Sequence, residues 1–218
     1  MKQLAIILLT LSLLTACSTP YDTYKAALDE KDEKTSLDDK GDRAAAAKKE
    51  SLKYDFEGST VRCTTGDFVI EASYLTPEMV DMYYSMFKGG VYKNPFNADV
   101  FIIFSMTIDN RGDKPMTYNP RMTLMHVENG EPVQMKDFSS LYAFYELAET
   151  EDIEKRMESF RVTCFDTTVT IEPGEKVQKL LVYPRTKETP KSVILGVNNI
   201  YTNYKSHTIP LTFQDISR

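Results

Sequence analysis

Val100-Phe101-Ile102-Ile103-Phe104-Ser105-Met106-Thr107-Ile108-Asp109-Asn110 decides the fold. Val100, Ile102, Phe104, Met106 and Ile108 share one face, with Ser105, Thr107 and Asp109 on the other, which is the period of a strand. Asp109-Asn110-Arg111-Gly112-Asp113-Lys114-Pro115 follows as a dense turn signal. Beyond it Met122, Leu124 and His126 alternate with Thr123, Met125 and Val127, and Asn129-Gly130 marks a hairpin. Further strands fit Asp67 to Tyr74, Thr167 to Ile171, Val177 to Tyr183, Val193 to Val197 and Thr208 to Phe213, with Glu172-Pro173-Gly174-Glu175 as another turn. Many short strands with regularly placed turns predict a mainly β sandwich.

Two helical insertions interrupt the strands. Thr76-Pro77-Glu78 opens one with an N-cap threonine and proline at the first helical position. Met79, Met82, Tyr83 and Met86 are expected to line one face of it, and Gly89 to stop it. The other runs from about Asp137 to Ser159. Leu141, Phe144, Tyr145 and Ala148 make one helical face there, and Ile153, Met157 and Phe160 another.

The region before the strands has a different character. Lys2 precedes an apolar run from Ala5 to Leu14, followed by Leu14-Thr15-Ala16-Cys17. That is the order of a secretory signal peptide. The run is shorter than the roughly 20 apolar residues of a spanning helix. Ser18 to Lys53 mixes charges of both signs with few large apolar residues, so it is expected to be a solvated tether. The formal net charge is −6. An acidic chain lacks the electrostatic footprint of a nucleic-acid binder, and attachment to anionic membranes would have to come from a lipid.

Two resemblances extend this reading. Leu14-Thr15-Ala16-Cys17 resembles a bacterial lipobox, which implies cleavage before Cys17, acylation of its thiol and a lipid anchor. Ser18, where an aspartate would signal inner-membrane retention, implies the outer membrane in a cell with two. Ile108-Asp109-Asn110 with Gly112-Asp113-Lys114-Pro115, and Ile171-Glu172-Pro173-Gly174-Glu175, together resemble telokin-like, immunoglobulin-like domains of bacterial secreted proteins and lipoproteins. This implies a two-sheet sandwich used for binding or assembly. The expected layout is a signal peptide over residues 1–16, a lipidated tether over 17–56 and an immunoglobulin-like domain over 57–218.

Once Cys17 is acylated, Cys63 and Cys164 remain. An even pair in an oxidising compartment is expected to form a disulfide, and two separate buried thiols are the alternative.

The chain has no G-x-S-x-G elbow, P-loop or H-E-x-x-H sequence. Only His126 and His207 could supply imidazole. Met122, Met125 and His126, with Met106 and Met116, raise copper chemistry. Strand geometry points Met125 away from Met122 and His126. Arg111-Gly112-Asp113 spells an adhesive tripeptide, but its glycine and aspartate already serve the turn. No catalytic residue, cofactor or metal is expected. Leu141, Tyr142, Phe144 and Tyr145 are the best candidate for a binding surface, since insertions between strands carry function and tyrosine is enriched at interfaces. The reading favoured for this helix is that one face packs on the sandwich and Tyr142 points out. The sequence thus predicts a non-enzymatic, lipid-anchored envelope protein that presents a binding module to a protein or another envelope component. A structural spacer in an envelope assembly is the alternative.

Overall fold

The structure is a computed structural model that describes residues 52–97, 99–128, 130–186, 190–214 and 216. The signal segment, Cys17 and nearly all of the expected tether lie outside the described residues. Eleven strands are described: β1 (Lys53–Glu57), β2 (Thr60–Thr64), β3 (Phe68–Leu75), β4 (Phe101–Asn110), β5 (Met116–Tyr118), β6 (Leu124–Val127), β7 (Val133–Gln134), β8 (Val169–Ile171), β9 (Lys176–Pro184), β10 (Ser192–Thr202) and β11 (Lys205–Gln214). Three helices are described: α1 (Pro77–Met86), α2 (Phe138–Leu147) and α3 (Ile153–Thr163).

The strands form two antiparallel sheets. The first has the order β1-β2-β3-β4-β9. In the second, β10 pairs with β11 along its length, while β6 and β5 pair with different stretches of β10. β7 extends from β6 and β8 from β5. Their facing sides share one core. Ile70, Phe104, Met106, Ile108 and Leu181 of the first sheet pack with Tyr118, Met125, Leu195, Ile209 and Phe213 of the second.

The other side of the first sheet is covered too. Leu75, Phe101, Ile103, Leu180 and Val182 project into a second core, where α1 supplies Val80 and Tyr84, α2 supplies Leu141 and Tyr145, and α3 supplies Met157 and Phe160. This explains why β4 is apolar on both faces at its start: alternation suits a half-buried strand, and a strand buried on both sides reads as a continuous apolar run. Only toward Asn110, where the helical layer ends, do Ser105, Thr107 and Asp109 carry the second face.

The two turns named for the resemblance meet at Asn110, which is 1% exposed. Its side-chain amide donates to the carbonyls of Lys114 at 2.9 Å and Ile171 at 2.8 Å, and its side-chain oxygen accepts from the Gly112 N–H at 3.1 Å. The backbone adds Asn110 N–H to the Glu175 carbonyl and Gly174 N–H to the Asn110 carbonyl. Gly174 has φ +77°, where a glycine costs least.

Three expectations are corrected. First, β1 (Lys53–Glu57) takes up residues 53–56, the last four of the segment read as tether. Leu52 and Tyr54 pack against the core, which outweighs the polar composition around them. Second, Cys63 and Cys164 are both buried and are not joined by a disulfide. Cys63 lies in the core between the sheets and Cys164 in the core under the helices. The backbone of Cys164 pairs with Leu180 beyond β9. Four strand spacings therefore separate the two cysteines, about 19 Å at about 4.8 Å each. A disulfide needs Cα atoms within about 7 Å. Third, Met122 ends a 3-10 turn over Pro120–Met122, capped by Asn119, and the strand begins only at Leu124.

Candidate functional site

The candidate binding surface on α2 is mostly interior, in line with the packing reading. Leu141 and Tyr145 are buried, and Tyr142 and Phe144 are half-buried against the same cluster. The Tyr145 hydroxyl donates to the Pro95 carbonyl at 2.5 Å, and Phe144 meets Phe101 edge-on at 5.4 Å between centroids. Asp137 caps this helix in a reciprocal box with Ser140, and its carboxylate also faces Arg121 at 3.1 Å. The accepted Ser140 N–H is the chief reason its carboxyl sits below the ordinary value. Four aromatic and aliphatic side chains on one turn-and-a-half of helix are core here because the first sheet has an apolar outer face to cover.

The exposed apolar surface is on α1 instead. The Thr76 hydroxyl accepts from the Met79 N–H at 3.4 Å and Pro77 follows, as the sequence anticipates. The buried face differs from the expected one. Val80 and Tyr84 are buried, Met79 and Tyr83 are half-buried, and Met82 and Met86 are 55% and 73% exposed. Met82 and Met86, four residues apart, are neighbours on the helix surface.

The segment after α1 extends this surface. Lys88 at φ +44° and Gly89 at φ +70° reverse the chain. The reversal brings Tyr92 to 6.0 Å from Phe87, which itself stacks on Tyr83 at 5.5 Å. The Lys88 ammonium lies 5.9 Å from the rings of both Phe87 and Tyr92. Val91 is 75% exposed beside them. The Asn94 amide donates to the Asp81 carboxylate at 2.7 Å and so ties the returning chain to the helix. Met82, Met86 and Val91 thus flank an aromatic row crossed by one cation.

What lies beneath is buried. Tyr84 meets Phe96 edge-on, and its hydroxyl pairs with the Thr163 hydroxyl at 2.7 Å. Thr163 in turn donates to the Ser159 carbonyl at 2.7 Å, so Tyr84 is the donor to Thr163. Burial pushes the Cys164 thiol up to about 12, which leaves it protonated at neutral pH. A shallow cleft of about 340 Å³ lies nearby, lined by Phe138, Glu154, Lys155, Met157, Glu158 and Arg161. The Arg161 guanidinium stacks over Phe138 at 4.7 Å there.

The remaining sequence candidates are dispersed. Met125 is in the inner core, His126 is on the opposite face of β6 with its pKa lowered by burial, and Met122 is on the exposed turn. His207 pairs with the Thr202 hydroxyl at 2.7 Å and meets Phe68 edge-on. Among the described residues no group of three His, Cys, Asp or Glu side chains is arranged to hold a metal ion. No helix among them is long and apolar enough to cross a membrane. Arg111, just after β4, pairs with Asp109 at the end of β4 at 2.9 Å.

No protein-family profile matches the chain, and no curated protein matches it. Among solved structures, the crystal structure of the yjhA protein from Bacillus subtilis aligns with 66% of this chain and 78% of its own, at 14% identity and a TM-score of 0.30. A similarity of that size carries no inference about fold or function.

Proposed function

We propose that this chain is an envelope lipoprotein, anchored through Cys17, whose body is an immunoglobulin-like sandwich that uses α1 and the turn after it to bind a protein partner. The observation that carries the binding role is the exposed cluster of Met82, Met86 and Val91 around the Tyr83-Phe87-Tyr92 row. Scattered apolar residues are ordinary on a surface, but a contiguous group marks an interaction site. Methionine adapts to different partner shapes, and aromatic residues supply interface area at low entropic cost. The junction of the two turns at Asn110 supports the telokin-like resemblance, because both quoted motifs serve one buried hub.

A photo-cross-linking side chain placed at Met86 in the full-length, lipidated protein tests this in cells. One discrete adduct is expected, lost when Met82 is changed to Asp. The same probe at Arg62, on the exposed outer face of β2, should give none. Identical adducts at both positions, or an adduct indifferent to Met82→Asp, would overturn the assignment.

A further inference from the structure

The β10–β11 hairpin ends in a two-residue turn, closed by the pairing of Thr202 with Lys205. Asn203 and Tyr204 both have positive φ, +48° and +64°. Such a turn suits asparagine first and glycine second. Here the second position holds a tyrosine, which pays for a left-handed backbone that glycine adopts freely. The side chain gains nothing from the fold in return, since Tyr204 is fully exposed. Tyr201 beside it is 46% exposed, with its hydroxyl donating to Asn199 at 3.3 Å. Strain of this kind, held without a packing return, points to function.

The strand registers place this tip. Tyr201 pairs with Thr117 on β5, which begins just after the Asn110 turn. Asn110 pairs with Phe68 at the start of β3. Phe68 meets His207 of β11 edge-on at 5.2 Å. Lys53 of β1 pairs with Thr64, which pairs with Val69. The tip is therefore at the end of the body where β1 begins, at Lys53. The helical layer covers the other half of the first sheet, around Leu75, Phe101 and Val182.

We propose that this tip is a second membrane contact, in which Tyr204 enters the headgroup layer and Lys205 pairs with lipid phosphates, seating the domain with α1 facing away from the bilayer. The inference rests on the lipid anchor at Cys17. Tyrosine suits the boundary because its ring is apolar and its hydroxyl stays wet. Lysine reaches phosphates by the same division of stem and head. The formal net charge of −6 offers no general attraction to anionic lipid, so the contact must be local and aromatic. The Thr202 hydroxyl bonded to His207 at 2.7 Å stiffens the hairpin just behind it.

The chain has no tryptophan, so one introduced indole reports on one place. The full-length lipidated protein carrying Tyr204→Trp is incorporated into vesicles of phosphatidylethanolamine and phosphatidylglycerol brominated near the carbonyl end of the acyl chain. Emission from position 204 should shift to the blue and be quenched at least twofold. Leu147→Trp, at the exposed end of α2, should show neither change. Equal or absent quenching at the two positions, in protein that floats with the vesicles, overturns the tip contact alone. Wild-type protein that does not float overturns the anchor, and this proposal with it. Tyr204→Gly should melt higher than wild type in detergent solution, and a lower melting temperature overturns the premise of strain.

Discussion

Asn110→Ala should be among the most damaging single changes to this domain outside the apolar core. The side chain makes three hydrogen bonds, two to carbonyls of Lys114 and Ile171 and one from the Gly112 N–H. A neutral hydrogen bond is worth about 1 kcal/mol net, and a buried group left without its partner costs about 1–3 kcal/mol. The bond to Ile171 is buried, whereas the other two are partly buried and can be replaced in part by water. The expected loss is about 3 kcal/mol. For a domain of this size each kcal/mol moves the melting temperature by about 2–4 °C, which gives a fall of about 6–12 °C. Urea unfolding followed by circular dichroism should show a lower midpoint at an unchanged slope. Asn110→Asp sharpens the test. Its carboxylate would keep the acceptor for Gly112 but set an oxygen against two carbonyl oxygens. Its folded pKa must then lie above the unfolded value of about 3.9. The native state binds the extra proton, so the variant is least stable at neutral pH and recovers as pH falls toward 4. A loss below about 1 kcal/mol for Asn110→Ala, or an Asn110→Asp defect that ignores pH, would refute the hub.

Other outcomes follow from the same geometry. Reductant should leave the melting temperature unchanged. In denaturant without reductant both Cys63 and Cys164 should take up a thiol label, and protection of either would restore the disulfide. Asp137→Ala should cost about 1 kcal/mol by removing the cap of α2. Since the folded Asp137 carboxyl lies below its ordinary 3.8, its contribution is present above that value and lost as pH falls through the lower folded one. The gap between wild type and Asp137→Ala in thermal melts should therefore close on acidification below about pH 4.

Local chemistry was legible in the sequence. The alternation from Ile102 to Ile108, the turn from Asn110 to Pro115, the Pro173-Gly174 turn and the Thr76-Pro77 helix start all stand where the residues put them, because each is decided by contacts within a few positions, whereas Val100 precedes β4 and packs under the helices instead of beside Ile102. Nothing local, however, tells what covers a face. Leu141, Tyr142, Phe144 and Tyr145 make an apolar helical side whether it meets a partner or the sheet behind it, and only the outer face of β4 and β9 settles that they are covered. Met82 and Met86 follow the same helical period as their neighbours, yet the layer beneath α1 takes Val80 and Tyr84 and leaves the methionines outside. The cysteines are subject to the same limit. Cys63 and Cys164 are an even pair on paper, and strand order puts them on opposite sides of one sheet. Asn110 reads as a turn residue, and its bond to Ile171, 61 positions away, exists only because the two sheets meet there. Tyr204 carried a faint signal, an asparagine before it between two alternating runs, but its exposure and its place at the same end of the body as Lys53 belong to the assembled sheets. Periodicity names a face, and the tertiary structure names its occupant, because burial is a property of two surfaces and the sequence of one segment describes only one of them.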